Sequence, residues 1–249
     1  MNGQADFWQL SCFDELPSTS DYCLNACRSG SGVAGLAVLA RRQTKGRGSR
    51  GRSWLDGGQG LALSVVLDAA QAGPDALGGW PFVASLGFYD GLLRATPAAL
   101  GHLTIKWPND ILLDGQKMGG ILIEREGDYV LIGLGANLVS APEQSVLERK
   151  VACLAQCGAV PDVEIVARHV LDGLALWHNR WRQEGFGAIR AAWLEKAHPV
   201  GTPLVVRGGT TYEKGHFAGL AEDGRLLLST EYGMKTIATG DILLMEKGA

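Results

Sequence analysis

This chain lacks a signal for export, a segment for membrane insertion and an overall basic charge. No run of about 20 apolar residues occurs, which excludes a predicted transmembrane helix. Residues 1–8 lack the basic start and the apolar stretch of a secretory signal, so we expect a cytoplasmic protein with no membrane partner. The net charge is −3, whereas a dedicated nucleic-acid-binding protein is more often basic overall.

Cysteine is also scarce, with five residues: Cys12, Cys23, Cys27, Cys153 and Cys157. The odd count and the missing signal predict reduced thiols rather than a disulfide framework. Two pairs share the spacing Cys-x-x-x-Cys, which places both sulfurs on one helix face and would allow a four-cysteine zinc site. Structural zinc pairs usually have tighter turns between ligands. We therefore interpret the cysteines as small buried apolar side chains and predict no protein-held metal.

The remaining composition is that of an ordinary globular protein. The chain has 249 residues, of which 46% are hydrophobic and 20% are charged. That length predicts one large domain, or a medium domain followed by a small one. A chain of this size can bury a core without disulfide or metal staples.

The most unusual stretch is a glycine-rich basic loop, defined here as residues 41–54. Between residues 41 and 52 it contains six basic residues and three glycines, with no acid before Asp56. Crowded cations repel one another, and glycines allow backbone N–H groups to turn toward a shared anion. Trp54 adds a flat surface for a ring, so the loop suits a phosphate together with a nucleobase. Alone, the pattern also fits a nucleic-acid contact or a solvated connection.

Hydrophobic patterning predicts a mixture of strands and helices in the first part of the chain. A short strand precedes a helix whose start is capped near Ser18. Further strands flank the basic loop, and a last one ends at Pro108, which cannot donate to a ladder. The predicted helices cover residues 21–27 and 74–95, and the predicted strands cover residues 35–41, 60–67 and 103–107.

Two hairpins are predicted after Pro108. Asp114-Gly115 joins strands over residues 110–113 and 118–124, and Gly127 joins the latter to residues 129–135. If the second hairpin is centred on Gly127, opposite residue numbers sum to about 254. Gly119 would then lie near Gly135 and Lys117 near Asn137, while the first hairpin brings Asn109 and Asp110 close to Gly120. A lysine, a carboxylate, an amide and several glycines are thus expected at one end of a sheet.

The last part of the chain changes texture. Residues 161–185 are predicted to form a long amphipathic helix and residues 186–196 another. Short strands divided by Gly and Asp then predict a small all-β barrel, at residues 204–207, 216–220, 225–229, 235–238 and 242–245. We therefore predict an α+β protein with two domains, residues 1–198 and 199–249.

Three motifs follow the basic loop: Lys106-Trp107-Pro108-Asn109-Asp110, Lys117-Met118-Gly119-Gly120-Ile121-Leu122 and Gly133-Leu134-Gly135-Ala136-Asn137. Each alone has an ordinary explanation as an exposed cation, a turn or a weak strand end. However, a lysine beside two glycines can reach a ligand carbonyl while the backbone approaches closely. The order and spacing of the motifs make the combined pattern far more specific.

Together these residues resemble the biotin–protein ligases, also called holocarboxylase synthetases. The resemblance runs from about Ser18 to Asn137, and Gly219 to Leu228 with Gly240 to Leu243 is similar to the family's SH3-like module. It implies a class II synthetase-like catalytic domain, with a mixed, largely antiparallel sheet and helices, followed by a small SH3-like barrel.

The resemblance also implies a two-step reaction. Biotin carboxylate attacks the α-phosphate of Mg-ATP to give biotinyl-5′-AMP, and a lysine of a biotin carboxyl carrier protein then displaces AMP. The expected ligands are biotin, ATP and Mg²⁺ bound to the ATP phosphates, and the expected partner is the biotinyl domain of a carboxylase. Relatives are monomers or homodimers. No DNA partner is expected, since the residues before Ser18 leave no room for the winged-helix domain of some relatives.

Matching the motifs residue by residue assigns roles within the site. Catalysis is expected from Arg47, Lys106, Asp110 and Lys117. Biotin is expected to contact Ser18, Thr19, Ser20, Gln43, Gly46, Arg47, Gly48, Lys117, Gly119 and Gly120. ATP and the adenylate are expected to contact Arg47, Arg50, Arg52, Trp54, Asn109, Lys117, Gly135 and Asn137. Ser18 is also explained as a plain helix N-cap.

Two residues depart from the family pattern. Ser20 stands where the family usually has Asn, and Ser49 replaces an arginine of Arg-Gly-Arg-Arg-Gly. The missing guanidinium removes a bidentate phosphate-binding group. This predicts weaker retention of the adenylate, or compensation by Arg50 and Arg52.

Three other functions remain open from the sequence. A lipoate or octanoate ligase or transferase has a similar fold, although the Arg-rich loop and the Trp-Pro-Asn-Asp motif favour biotin. A non-catalytic relative that binds and senses a ligand is the second. A nucleic-acid-binding protein that uses the basic loop is the third.

Overall fold

A computed structural model describes residues 7–30, 33–55, 57–72, 76–143, 150–208 and 211–244. It contains a large mixed sheet with helices on both faces, followed by a smaller antiparallel sheet, which confirms the predicted α+β architecture. Residues 74, 75 and 245, which belong to a predicted helix and a predicted strand, lie outside the described ranges. Within those ranges, no helix is both long and apolar enough to cross a membrane.

The large sheet consists of seven strands: β1 (Gln9–Leu16), β2 (Leu36–Gln43), β3 (Leu61–Asp68), β4 (Leu103–Lys106), β5 (Asp110–Leu113), β6 (Gln116–Glu126) and β7 (Tyr129–Ala136). Their order is β1-β2-β3-β7-β6-β5-β4. β1 and β2 run parallel, and the other neighbours are antiparallel. The sheet is therefore mixed and largely antiparallel, as predicted.

The predicted register of the β6–β7 hairpin was wrong by one residue. Gly120, rather than Gly119, lies opposite Gly135, because the turn has two residues, Gly127 and Asp128, instead of one. Gly127 has φ 56°, which suits the first central position of a two-residue turn. A shift of one residue moves every side chain to the other face of the sheet. The β5–β6 hairpin has the predicted turn, and Asp110 lies opposite Gly120.

Helices cover both faces of this sheet. α1 (Thr19–Arg28) packs on one face through Cys23 and Cys27. α2 (Ala76–Ala95) and α3 (Val163–Lys196) pack against each other and cover the opposite face. Within α3, Gly185 has φ 76° and interrupts the helix at the position where two helices were predicted to meet.

The smaller sheet, residues 203–244, is called the C-terminal β module. Its strands are β8 (Pro203–Gly208), β9 (Thr211–Leu220), β10 (Leu226–Thr230), β11 (Gly233–Ile237) and β12 (Asp241–Leu244). They form an antiparallel sheet in the order β11-β10-β9-β8-β12. Trp107 Nε1 donates to the Gly224 carbonyl at 3.1 Å, which joins the module to the large sheet. The domain boundary near residue 199 stays a prediction.

All five cysteines are free thiols. Cys23 and Cys27 are buried, Cys12 is exposed, and Cys153 and Cys157 are partly buried. No group of three His, Cys, Asp or Glu side chains able to hold a metal ion occurs within the part of the chain that the structure describes.

Candidate active site

A pocket lies on the α1 face of the large sheet, below the basic loop. Its lining combines the first turn of α1, the ends of β2 and β5, and facing segments of β3, β6 and β7. The predicted site residues in this lining are Thr19, Ser20, Gln43, Arg47, Gly48, Trp54, Asn109, Asp110, Lys117, Gly120 and Gly135. Residues from well-separated parts of the chain thus share one pocket.

One end of the pocket is a cluster of hydroxyl groups. Ser64 Oγ lies 2.8 Å from Thr19 Oγ1 and 3.1 Å from Ser20 Oγ, and all three residues are buried. The Thr19 hydroxyl and backbone N–H both donate to Gln43 Oε1, at 3.2 and 2.8 Å. These groups present donors and acceptors to a small polar ring.

The first turn of α1 positions this cluster. Ser18 is the N-cap, and its Oγ accepts a hydrogen bond from the Asp21 N–H at 3.2 Å. Gly133 leaves room for the hydroxyls, since a Cβ at this position would lie 2.7 Å from Ser20 Oγ. The N-cap interpretation of Ser18 is therefore confirmed.

Ser64 was missed by the sequence analysis, although a signal was present. It is the one polar residue between Leu61 and Leu67 in an otherwise apolar strand. Burial of a hydroxyl is costly unless it has partners. A lone serine in a fully buried strand therefore indicates a polar partner on one face, here Thr19 and Ser20.

The opposite end of the pocket holds a carboxylate between two lysines. Asp110 Oδ2 lies 2.9 Å from Lys106 Nζ, and Asp110 Oδ1 accepts a hydrogen bond from Lys117 Nζ. Burial alone would raise the pKa of Asp110, but the two ammonium groups outweigh it and hold the pKa well below its usual range. Asp110 is therefore ionised at neutral pH and keeps Lys117 in place.

The two lysines have different surroundings. Lys117 lines the pocket, whereas Lys106 lies outside the lining formed by the described residues. Lys106 Nζ donates to the Ile242 carbonyl of β12 at 3.1 Å. Lys106 thus connects Asp110 to the C-terminal β module, while Lys117 faces the pocket.

The basic loop folds back on itself above the pocket. The backbone N–H of Trp54 donates to the Gly46 carbonyl at 2.9 Å, and the backbone N–H of Gly48 donates to the Arg52 carbonyl at 2.7 Å. Gly46 is required here, because a Cβ would lie 2.7 Å from the Trp54 carbonyl oxygen. The loop therefore has a defined conformation despite its glycines.

The arginines of this loop are paired with carboxylates of the protein. Arg47 forms two hydrogen bonds with Glu124, at 2.8 and 2.6 Å. Arg50 and Arg52 reach Asp241 of the C-terminal β module, at 2.9 and 3.4 Å. The tip of the loop is thus attached to the module, and the middle of the loop is attached to the wall of the pocket.

The ring of Trp54 lies against Gly120 of β6 and Gly135 of β7. A Cβ at Gly135 would lie 2.7 Å from Trp54 Cε2, so only glycine allows this contact. Lys117 Nζ lies 5.9 Å from the centre of the Trp54 ring, within the range of a cation–π interaction. Trp54 and Lys117 therefore form one surface at the cationic end of the pocket.

The other predicted site residues lie outside the pocket lining formed by the described residues. Gly119 faces Phe88 of α2, since a Cβ there would lie 3.1 Å from Phe88 Cε1. The Asn137 side chain donates to the Ala152 carbonyl at 3.0 Å. The remaining ones, described above, are Ser18, Gly46, Arg50, Arg52 and Lys106.

Comparisons with known proteins cover both the large sheet and the C-terminal β module. Residues 12–137 match the family model for the biotin/lipoate A/B protein ligase family, and residues 204–245 match the model for the biotin protein ligase C terminal domain. The sequence is 37% identical to a biotin–[acetyl-CoA-carboxylase] ligase of Paracoccus denitrificans, over 91% of this chain and 98% of that relative. It is 29% identical to a protein of the same name from Mycobacterium tuberculosis, over 97% of this chain and 91% of the relative.

A solved structure is similar over almost the whole chain. The biotin protein ligase from Aquifex aeolicus in complex with biotin and ATP superposes with a TM-score of 0.82 at 27% sequence identity. The match covers 96% of this chain and 99% of that chain. The similarity therefore includes both the large sheet and the C-terminal β module.

Proposed function

This chain belongs to the biotin/lipoate A/B protein ligase family, and we propose that it is an ATP-dependent biotin–[biotin carboxyl-carrier protein] ligase. The two relatives from Paracoccus denitrificans and Mycobacterium tuberculosis are named as ligases that act on acetyl-CoA carboxylase. The proposed reaction activates biotin as biotinyl-5′-AMP and transfers the biotinyl group to a lysine of a carrier domain.

One observation carries this proposal: the pocket has a neutral hydrogen-bonding end and a cationic end. Thr19, Gln43 and Ser64 at the first end suit the ureido ring of biotin, which both donates and accepts hydrogen bonds. Lys117 at the other end suits the biotin carboxylate and the α-phosphate of ATP. Biotin carries both kinds of group, a ureido ring at one end and a carboxylate at the other.

In the first step, a biotin carboxylate oxygen attacks the α-phosphorus of ATP. The bond to the β-phosphate breaks, and pyrophosphate leaves with that electron pair. Both reactants are anions, so the step requires fixed positive charge at the point of attack. Lys117, held by ionised Asp110, supplies this charge without having to reorganise.

In the second step, the neutral amine of a carrier lysine attacks the acyl carbon of biotinyl-5′-AMP. An amide bond forms, AMP leaves with the bonding electrons, and the amine loses a proton. Until that attack, the mixed anhydride must be protected from water. The basic loop, with Trp54 on Gly135, is suited to cover it.

We propose that Mg²⁺ enters on the ATP phosphates rather than in a protein-held site. Asp110 is the single carboxylate in the pocket lining of the described residues, and its two oxygens are engaged by Lys106 and Lys117. When bound, Mg²⁺ would neutralise charge on the departing pyrophosphate.

The finer assignments belong to this proposal as well. The partner would be the biotinyl domain of a carboxylase, and the catalytic unit would be residues 1–198 with residues 199–249 as an attached module. Lys106, whose ammonium group lies behind Asp110, would keep that carboxylate ionised rather than touch the substrates.

Mass spectrometry of an isolated biotin carrier domain tests the proposal. Incubation with this protein, biotin and Mg-ATP should add one biotinyl group to the carrier. Replacing biotin with lipoate should add nothing and should release no pyrophosphate. Lipoate-dependent modification in the absence of biotin-dependent modification would contradict the proposal.

A further inference from the structure

We propose that Glu124 is a positioning residue which, with Asp21, holds Arg47 so that the basic loop stays closed over the activated acyl group. This inference rests on the proposed function. It concerns a carboxylate outside the pocket lining of the described residues, to which the sequence motifs assign no role.

Arg47 lies between two walls of the pocket. Glu124 is on β6, on the same face as Gly120 and Leu122, which line the pocket. Asp21 is in the first turn of α1, next to Ser20 of the hydroxyl cluster. An arginine that binds both therefore ties the loop to the two sides of the pocket mouth.

The contacts occupy most of the guanidinium group. Nη1 and Nη2 donate to the two carboxylate oxygens of Glu124 at 2.8 and 2.6 Å, which is a bidentate arrangement. Nε lies 2.8 Å from Asp21 Oδ1, as an ion pair without the alignment of a hydrogen bond. The guanidinium of Arg47 thus contributes to closure of the loop, and Arg47 lines the pocket together with Gly48, Ser49 and Trp54.

The closed loop leaves little free space. The pocket has a free volume of about 50 Å³, whereas pockets for ligands of moderate size measure roughly 300–1,000 Å³. The loop must move outward to admit biotin and ATP and must then return. The contact of Arg47 with Glu124 and Asp21 is suited to stabilise the closed position of the loop, because it joins the loop to β6 and to α1.

Ser49 increases the importance of this contact. Ser49 lacks the guanidinium of the family pattern, and its hydroxyl accepts a hydrogen bond from Arg52 Nη2 at 3.1 Å. Arg50 and Arg52 are paired with Asp241. Retention of the adenylate therefore depends on how firmly the loop is held to the pocket walls.

The test is the rate at which biotinyl-5′-AMP escapes into solution, measured by chromatography after a single turnover without carrier. Glu124→Gln should release it about fivefold faster, the scale of a charge-assisted pair lost at a partly exposed site. The KM for biotin should rise by a similar factor. The rate of adenylate formation at saturating biotin should change by less than about twofold, since Lys117 is untouched.

Glu126→Gln is the matched control. Glu126 is on the same strand and pairs with an arginine of α1, Arg28, at 3.1 Å. The side-chain exposures are alike, 26% for Glu124 and 32% for Glu126. Each variant therefore loses one ion pair between β6 and an arginine, and only in Glu124→Gln does that arginine belong to the basic loop.

Two further variants separate positioning from folding. Glu124→Asp keeps the charge but shortens the reach, so its release rate should lie between those of wild type and Glu124→Gln. Asp21→Asn removes the contact on the other wall and should also accelerate release, which keeps the test decisive if Glu124→Gln fails to fold. Thermal unfolding of each variant is measured alongside.

The outcomes distinguish the two proposals. Wild-type release rates in Glu124→Gln and Asp21→Asn, or equal acceleration by Glu126→Gln, would overturn the role of Glu124. A folded wild-type protein that forms no biotinyl-5′-AMP would instead overturn the proposed function.

Discussion

The two faces of the seven-stranded sheet differ in chemistry, although the same strands build both and both carry apolar contacts. Toward α2 and α3, β3 presents Leu63 and Val65 to a core that includes Trp80 and Trp193. Toward α1, the intervening Ser64 joins the hydroxyl cluster of the pocket. Strand alternation alone separates them, because neighbouring side chains point to opposite faces.

This difference shows how the protein divides stability from chemistry. The helical face buries large apolar side chains and supplies most of the hydrophobic stabilisation. The pocket face buries a carboxylate, Lys106 and several hydroxyls, each of which costs free energy unless it is paired. A substitution on one face should therefore leave the property of the other face nearly intact.

The largest expected effect is a loss of stability on the helical face. Leu39 of β2 is fully buried there. Leu39→Ala should lower the free energy of unfolding by about 2–5 kcal/mol, because it removes apolar contacts and leaves a cavity. Denaturant titration measures this loss, and calorimetry should show an almost unchanged Kd for biotin. A large change in Kd would mean that the two faces are not separable.

Removal of the pocket cation should produce the opposite result. Lys117→Ala should slow formation of biotinyl-5′-AMP by about 10²–10³-fold, the usual cost of losing a preorganised electrostatic group. The rate of pyrophosphate release measures it. Lys235→Ala, which removes a lysine paired with Glu213 in the C-terminal β module, is the control and should retain wild-type activity. Substantial activity in Lys117→Ala would remove this residue from the mechanism.

Acid should weaken the helical face before the pocket. Burial beside Trp80 lowers the pKa of His178 to about 4, from an unfolded value near 6.5. The free energy of unfolding is therefore unaffected by His178 above pH ~6.5, where the ring is neutral in both states. As the pH falls toward 4, the unfolded state binds the proton first, and the free energy of unfolding decreases by up to about 3 kcal/mol, at ~1.4 kcal/mol per pKa unit. The pKa of Asp110 lies lower still, so its ion pairs persist through this range.

His178→Phe checks this interpretation, since it removes the titrating group and keeps a ring against Trp80. Thermal unfolding between pH 8 and pH 4 should depend less on pH in this variant than in the wild type. An unchanged pH dependence would assign the acid sensitivity elsewhere, for example to buried His198, whose pKa is also lowered to about 4.

A pair of serines offers a smaller and more symmetrical test. Ser64→Ala should raise the KM for biotin about tenfold. Thr19 and Ser20 lose their shared hydrogen-bond partner, and the ureido ring of biotin loses an oriented hydroxyl group. Ser85→Ala makes the same change on the helical face, where Ser85 Oγ accepts a hydrogen bond from Trp193 Nε1 at 3.0 Å. The second variant should lose stability but keep its KM. Equal KM changes would contradict the comparison.

The smallest effect is expected at the loop. Ser49→Arg restores a guanidinium at the pocket lining and should slow the escape of biotinyl-5′-AMP about threefold. Chromatography of the released adenylate measures it. No change in escape would contradict the expectation that Ser49 weakens retention of the adenylate.

Much of the fold could be predicted because the local patterns were strong. The strands around the basic loop, the Asp114-Gly115 turn and the interruption of α3 near Gly185 all follow from apolar periodicity and turn chemistry. The β6–β7 register was missed because Gly127 alone does not reveal whether one or two residues form the turn. A single residue then decides which glycine faces the pocket.

The site was predicted in part for a different reason. Thr19, Gln43, Asp110 and Lys117 stand in recognisable motifs, and all four line the pocket. Glu124 carries no motif, and Asp241 was noted only as part of the Gly240–Leu243 segment, without a contact to the basic loop. The arginine partners of both carboxylates lie far away along the chain. Ion-pair partners depend on three-dimensional proximity, which spacing within a motif does not encode.

The start of β12 has a consequence for the order in which the enzyme is made. Asp241 forms ion pairs with Arg50 and Arg52, and the neighbouring Ile242 carbonyl accepts a hydrogen bond from Lys106. A nascent polypeptide that ends before Gly240 can already contain every strand of the large sheet, yet it has neither contact. Such an unfinished chain should fold a pocket whose cover is held at Arg47 alone and whose Lys106 is held by Asp110 alone, so the complete set of contacts around the site forms only after β12 has been made.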